Sequence, residues 1–307
     1  MNLLVGGTGF IGGHVVEYLF QQGEISKGTF RKGSHLKVMD ANGVQGMEAD
    51  LLDHHSLHAA VEGVDTIYNL ASPMPDSDKD FLRINTEGLL NLLEVATEAG
   101  VKSFVHLSTL DVFGFGISEI NESSPLRPSN DYQKSKAEAE RILQAFSRRS
   151  GLPRVVSIRP ARAIGPRDET LTIPLLRMVE NGRVVLPQTK LMSFSHPKDI
   201  AQSLYKAATG QAQSGSTYLV KSFDAPIDEV ARALTSSMGK SVEVRRLGLL
   251  AKSSLPRYSS EQVKAALKIE TQPRWKELGY EPAFTLKSTC DDIASWYSKE
   301  PWVTESA

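Results

Sequence analysis

Tyr132 and Lys136 stand four residues apart, just after the run Ser129-Asn130-Asp131. Ser, Asn and Asp in a row commonly announce a helix start, and two side chains four apart on a helix share one face and can reach one ligand. A phenol with its ordinary pKa of about 10 is a poor acid or base at neutral pH, because proton transfer is most effective when the group titrates near the working pH. An ammonium beside it stabilises the phenolate and lowers that pKa. The pair could therefore carry a proton. An exposed tyrosine beside a solvated lysine has the same spacing, so the pair needs a second feature before it means chemistry. That feature lies at the start of the chain, where apolar Leu3 to Val5 open directly into Gly-Gly-Thr-Gly-Phe-Ile-Gly-Gly, residues 6–13.

Two glycine spacings overlap there, Gly7-x-Gly9-x-x-Gly12 and Gly6-x-x-Gly9-x-x-Gly12. Glycines in this arrangement let a strand turn tightly, approach a pyrophosphate and pack the next helix on the sheet. The free N–H groups at the start of that helix then face the phosphates. A strand precedes the glycines and an amphipathic run, 14–22, follows them, which is the context the motif requires.

These residues demand an alternation of strands and helices. The second strand is expected at 25–30, followed at once by Arg31 and Lys32. An acid at this place holds the ribose 2′-hydroxyl of NAD, whereas a base accommodates the 2′-phosphate of NADP. Arg31 and Lys32 favour NADP. The rival alignment makes 35–40 the strand, with Asp40 as the acid, and leaves an eleven-residue connection after Gly23, where about 2 to 6 residues are usual. A third strand is expected at 44–49, ending at Asp50-Leu51, and then a helix over 54–62 capped by Asp53. His54 and His58 share a face of that helix but lack an evident third ligand, so they are expected on a solvated surface.

Residues 64–70 form a nearly continuous apolar strand, as a sheet covered on both faces requires. It ends in Asn69-Leu70-Ala71-Ser72, and the loop through Pro73, Pro75 and Asp76 falls beyond the edge where such sheets bind ligands. A helix is expected from Thr86 to residue 99, with leucines at 89, 90, 92 and 93. A fifth strand at 103–107 runs into Ser108-Thr109-Leu110-Asp111-Val112-Phe113-Gly114. Beyond Arg159, helices are expected at 173–180, 227–238 and 260–267 and short strands at 184–186 and 242–244, with 193–208 returning to the main domain.

Composition narrows the function classes. Thirty-five basic against thirty-six acidic residues give a net charge of -1, without the basic block that nucleic acid or an anionic membrane would need. One cysteine, Cys290, excludes an internal disulfide and suits a reducing compartment. No apolar run reaches membrane-spanning length, and Met1 directly precedes the first strand, so no leader peptide and a cytoplasmic location are expected.

Taken together in order and spacing, the motifs resemble those of the extended short-chain dehydrogenase/reductase family, also called the NAD-dependent epimerase/dehydratase family. They are the glycine run at 6–12, Asp50-Leu51-Leu52-Asp53, Asn69 to Ser72, Asn85 with Gly88, Ser108-Thr109, Tyr132-x-x-x-Lys136, Arg159-Pro160, Gly165-Pro166-Arg167, His196 with Asp199, and Leu278-Gly279-Tyr280 with Trp296-Tyr297. The resemblance implies an α/β fold, a Rossmann-type doubly wound parallel sheet with a smaller C-terminal α/β substrate lobe. It places the dinucleotide-binding domain at 1–165 and 193–222, the lobe at 166–192 and 223–300, and a tail at 301–307.

It further implies Thr109, Tyr132 and Lys136 as the catalytic set, with Lys136 also holding the nicotinamide ribose. Cofactor contacts are implied at Gly6, Gly9, Phe10, Ile11, Gly12, Arg31, Lys32, Asp50, Leu51, Leu70, Ala71, Ser72 and Pro160. His196 and Asp199 fall in a segment that is mostly architectural in the family. Three departures bear on substrate. The dehydratases' Thr-Asp-Glu is here Thr109-Leu110-Asp111, Arg162 stands where epimerases commonly place an asparagine, and Phe113 replaces a pocket tyrosine. Phe113 and Arg162 are thus candidate substrate contacts, Arg162 through an anionic group.

The expected activity is NADP-dependent interconversion of a ketone and a secondary alcohol on a small, fairly apolar molecule, similar to the hydroxysteroid-dehydrogenase and dihydroflavonol-reductase branch. NAD is the alternative cofactor and nucleotide-sugar epimerisation the alternative reaction. A homodimer through the helices near Thr86 and Tyr132 is expected, with no nucleic-acid or membrane partner.

Overall fold

The structure is a computed structural model that describes residues 1–72, 80–115, 119–149, 153–187, 190–246, 255–270 and 274–300. Pro73, Pro75, Asp76 and the 301–307 tail, all part of the sequence expectations, lie outside the described residues.

The chain runs β1 (Asn2–Val5), α1 (Phe10–Gln21), β2 (Ser26–Phe30), α2 (Lys37–Ala41), β3 (Gln45–Glu48), α3 (His54–Val61), β4 (Thr66–Asn69), α4 (Phe81–Glu98), β5 (Ser103–Leu107), β6 (Glu119–Ile120) and α5 (Asp131–Ser147). It continues with β7 (Arg154–Pro160), β8 (Arg162–Ala163), α6 (Thr172–Glu180), β9 (Val184–Leu186), β10 (Met192–Ser195), α7 (Pro197–Thr209) and β11 (Ser216–Val220). Last come β12 (Phe223–Ala225), α8 (Ile227–Ser237), β13 (Val244–Arg246), α9 (Arg257–Ala265), β14 (Lys268–Ile269) and α10 (Leu286–Lys299).

Seven of these strands form one sheet in the order β11-β7-β5-β4-β1-β2-β3, with every neighbour parallel. The order reverses between β1 and β4, and ligands bind such sheets outside the carboxyl ends of the strands at that reversal. Helices cover both faces, so central strands carry apolar side chains to both sides. Leu4, Val105 and Val156 pack beneath α1 and α7, while Leu3, Ile67 and Phe104 pack beneath α3 and α4. A third apolar cluster, with Leu175, Leu186, Phe194, Leu234 and Ile293, lies among α6, α8, α10 and the short strands. Among the described residues no helix is long and apolar enough to cross a membrane.

Several elements differ from expectation. The first helix begins at Phe10, directly on the glycine turn, with Gly9 as its cap, so the amphipathic run from residue 14 is its second half. The long helix begins at Phe81, not Thr86, and Asn85 lies buried inside it with its amide donating to Ser135 Oγ at 3.0 Å. Residues 35–40 are not a strand. Asp40 sits exposed in α2, so it does not end a strand of the sheet. The segment at 193–208 divides, since β10 joins β8 and β12 in a separate three-stranded sheet while α7 packs on α1 against the main one. Strand β11, the seventh of the main sheet, falls within the 193–222 segment assigned to the dinucleotide-binding domain but is not expected there as a strand, because Ser216-Thr217-Tyr218-Leu219-Val220 carries no alternation to mark it.

Candidate active site

Two groups of residues meet along the carboxyl edge of the main sheet. The first is made largely of backbone. Gly6 has φ +88°, and a Cβ on it would lie 2.7 Å from Ala71 N. A Cβ on Gly12 would lie 2.1 Å from Gly6 O. The turn and the first helical turn of α1 are therefore packed as closely as atoms allow, and only glycine satisfies both positions. Gly9 caps α1 without a side-chain acceptor, which leaves the positive end of the helix to an anion. Leu70 and Ala71 sit directly against Gly6, with Leu70 N bonded to Val5 O at 2.8 Å. Phe10 and Ile11 form the first turn of α1.

Arg31 and Lys32 follow β2 and are exposed, as is Asp50 after β3. Asp50 turns its carboxylate back to Leu52 N at 2.8 Å, and Leu51 O accepts from Asn91 Nδ2 at 3.0 Å. The residues present fit a dinucleotide, with glycines at 6 and 12 where no Cβ has room, a helix start without a side-chain cap, and two exposed bases after β2.

The second group is made of side chains. Thr109 follows the end of β5 by two residues and caps a 3-10 turn at Leu110–Phe113, accepting from Asp111 N at 3.2 Å. Asn130 caps α5 by accepting from Gln133 N at 2.9 Å, which fixes the first turn from which Tyr132 projects. The Tyr132 hydroxyl lies within hydrogen-bonding reach of both Thr109 and Ser72. Its ring meets Phe81 edge-on at 5.7 Å and Tyr258 at 5.5 Å, and Tyr258 in turn meets Phe115 at 5.9 Å. Two aromatic rings thus flank a phenol whose oxygen faces two hydroxyls, and Phe115 backs one of them.

Lys136, one turn further along, is 2% exposed and donates to Leu107 O at 2.7 Å. Burial pushes its ammonium down to about 8. The expectation that this ammonium depresses the Tyr132 phenol needs correction. Burial, with the Asp111 charge, pushes the phenol above its usual value, and the cation opposing them is Arg162. Lys136 is instead tied to the end of β5.

Phe113 also needs correction. It is wholly buried in the main core beneath the Arg159 guanidinium, 5.0 Å from its ring centre, because the 3-10 turn points it inward; it does not face the cleft. Pro160 ends β7 and is buried. Arg162 does stand beside the chemistry. Its Nη2 donates to Thr170 Oγ1 at 2.7 Å and to Ser259 Oγ at 3.4 Å, while its buried Nε lacks a partner. His196 caps α7, accepting from Lys198 N at 3.2 Å. His54 and His58 face Glu94 and Glu98 on α4 at 3.4 and 3.1 Å.

Sequence reasoning missed the roof of the site. Tyr258 Oη and Gln262 Nε2, both from α9, donate to Asp111 Oδ2 at 2.8 and 2.7 Å. Asp111 is 5% exposed, and burial pushes its carboxyl up against the opposing pull of those two donors. The only signal in the sequence was Asp111 itself, the one carboxylate in the run after Thr109. Beneath the site Glu140 accepts from Ser108 and Arg159 in a buried ion pair that anchors α5 to β5 and β7.

The profile of the NAD dependent epimerase/dehydratase family matches residues 2–220. The human sterol-4-alpha-carboxylate 3-dehydrogenase, decarboxylating, is 29% identical over 236 residues, 74% of this chain and 62% of that protein. The chain thus spans less than two thirds of that relative's length. In structure the chain is similar to a UDP-glucose 4-epimerase of Thermotoga maritima, with TM-score 0.82 and 21% identity over 98% of this chain and all of the other. It is also similar to a dTDP-glucose 4,6-dehydratase of Bacillus anthracis in complex with NAD, with TM-score 0.80 and 22% identity over 98% of each. At these identities the two structures speak for the fold.

Proposed function

This chain belongs to the NAD-dependent epimerase/dehydratase family, and on that premise we propose that it is an NADP-dependent oxidoreductase interconverting a ketone and a secondary alcohol on a small, fairly apolar substrate. The observation that carries the reading is the phenol of Tyr132 directed at Thr109 and Ser72 between the rings of Phe81 and Tyr258, the latter backed by Phe115. Hydroxyls at one point suit a carbonyl oxygen, and aromatic walls suit an apolar skeleton. The relative named for a sterol 3-dehydrogenase supports the same class of alcohol.

In this reading Tyr132 gives a proton to the carbonyl oxygen during reduction and takes it from the alcohol during oxidation. Thr109 donates a second hydrogen bond to that oxygen, and Lys136 holds the ribose next to the nicotinamide. The cofactor, when bound, supplies or accepts the hydride. Gly6, Gly9, Phe10, Ile11 and Gly12 carry the pyrophosphate, Asp50 and Leu51 flank the adenine, and Leu70, Ala71, Ser72 and Pro160 line the remainder. Arg31 and Lys32 take the 2′-phosphate, a choice supported by the position of Asp40 away from the strand ends. Arg162 is the candidate contact for a polar group on the substrate.

The same proposal includes the division of the chain into a dinucleotide-binding domain at 1–165 and 193–222 with a lobe at 166–192 and 223–300, a cytoplasmic location, and a homodimer through α4 and α5. Leu82 and Leu90, exposed on α4, are compatible with such a contact.

The test is a fluorescence titration of the purified protein with NADPH and NADH, followed by a panel of apolar ketones. NADPH should bind more tightly, and ketones should consume its absorbance. The double variant Arg31→Ala, Lys32→Ala should lose affinity for NADPH by about tenfold or more, the worth of one charge-assisted bond, and leave NADH unchanged. Tighter NADH binding would overturn the cofactor choice. Interconversion of a nucleotide sugar with no net oxidation would replace the reductase by an epimerase.

A further inference from the structure

We propose that His106 is a positioning residue for Lys136, its neutral ring carrying the proton on Nδ1 so that the Nε2 lone pair accepts from the lysine ammonium and aims it at the cleft. This rests on the reading above in which Lys136 faces the cofactor.

His106 lies in β5 and is 2% exposed. Its Nε2 stands 3.4 Å from Lys136 Nζ, and its Nδ1 stands 3.2 Å from Asn69 Nδ2 at the end of β4. A neutral imidazole has one donor and one acceptor nitrogen, and an ammonium has donors only. With the Asn69 amide oriented as drawn, Nδ1 must accept, Nε2 must carry the hydrogen, and two donors face each other at Lys136. That orientation also leaves Asn69 Oδ1 buried without a partner.

Amide oxygen and nitrogen have the same outline, so their assignment follows the hydrogen-bond network. Turning the amide makes Oδ1 the acceptor for Nδ1–H and frees the Nε2 lone pair for the ammonium. At Asn69 the exchange swaps one unpaired amide atom for another; at Lys136 it replaces a repulsive contact by an attractive one. A charged ring is excluded by its surroundings, since burial and the Lys136 charge both hold His106 well below the usual histidine value.

The consequence for Lys136 is geometric. Its two protein partners, Leu107 O and His106 Nε2, are neutral acceptors on one strand. They take two of its three N–H bonds and direct the third away from β5. The charged group acting on Lys136 is Glu140 on α5, whose carboxylate raises the pKa of the ammonium from a distance while its hydrogen bonds go to Arg159 of β7 and to Ser108. Among the described residues no carboxylate is hydrogen-bonded to the ammonium, so a second acceptor in addition to Leu107 O is what holds its direction.

The tautomer is read by long-range proton–nitrogen NMR on the full chain labelled at its seven histidines, with the His106 signals identified by their loss in His106→Gln. The expected pattern is a neutral ring protonated at Nδ1, unchanged from about pH 6 to 8. A ring protonated at Nε2, or on both nitrogens, would overturn the proposal without any appeal to activity.

NADPH titration against pH then tests the role. His106→Leu removes the acceptor, so Lys136 loses its proton at lower pH, and NADPH affinity should fall about tenfold near pH 7.5 and by less at pH 6. His106→Gln keeps an acceptor and should restore most of it. An affinity in His106→Leu that follows the original pH dependence defeats the inference. If Lys136→Met binds NADPH as tightly as the original chain, the underlying reading of Lys136 fails instead.

Discussion

The two halves of the carboxyl edge are built in opposite ways. From β1 to β4 the edge is backbone, in which Gly6 and Gly12 touch Ala71 and Gly6 where a Cβ would stand, and all of its parts fall within residues 5 to 72 of the chain. From β5 onward the edge is side chains, with Thr109, Asp111, Tyr132, Arg162, Tyr258 and Gln262 arriving from distant parts of the sequence to meet in one cluster. Within the glycine turn the vulnerable feature is space, so an added methyl is what breaks it, and side-chain charge enters this half only beyond the turn, at Arg31, Lys32 and Asp50. A side-chain site behaves the other way, because each functional group can be removed while the ring or stem that fills its place remains.

The largest expected effect belongs to the second half. Tyr132→Phe keeps the ring against Phe81 and Tyr258 and removes the hydroxyl alone. Turnover should fall by about 10²- to 10⁴-fold, the range for a positioned acid or base, while the melting temperature and NADPH affinity stay close to those of the original protein. Steady-state kinetics beside a cofactor titration separates these. Activity within tenfold of the original would mean that another group carries the proton.

Gly12→Ala makes the complementary test in the first half. Its Cβ would meet Gly6 O at 2.1 Å and Gly7 Cα at 2.8 Å, atoms of a main chain that cannot step aside as a side chain can. Overpacking of this kind costs about 1–3 kcal/mol. Both thermal stability and affinity for the dinucleotide should fall, in contrast to Tyr132→Phe, which leaves both in place. A variant that melts and binds like the original would show that the turn has room to relax, and the contrast between the two halves would lose its basis.

The same contrast explains what the sequence made legible. The glycine turn, the bases after β2 and the Tyr132, Lys136 pair are encoded by short spacings, since the atoms that act together lie within a few residues of one another. Strand β5 and the Asp53 cap of α3 were readable for the same reason. Asp111, Tyr258 and Gln262 were not, because a hydrogen bond between a 3-10 turn and α9 leaves no local periodicity. Phe113 was misread for a related reason; the residue type was visible but the turn that directs it inward was not. Lys136 is expected to act directly on the phenol from helical spacing and the family resemblance together, whereas the fold gives that ammonium to Leu107 and His106 and brings Arg162 to the phenol from β8.

The smallest effect tests the roof contact that joins the side-chain half to α9. Asp111 is buried, and burial raises its carboxyl above the unfolded value while Tyr258 and Gln262 act against that. A raised acid binds its proton more tightly folded than unfolded, so its contribution to stability is full below the unfolded pKa and is lost as pH rises through the folded one. Asp111→Asn, with its amide oxygen in the place of Oδ2, keeps an acceptor for both donors and never carries the charge. Thermal melts from about pH 4 to 8 should therefore show the melting temperature of the variant, measured against the original chain, climbing as pH rises. A difference flat with pH would mean that the carboxylate is stabilised in place by its two donors, and the roof would then be a bonded part of the side-chain site whose charge costs the fold nothing.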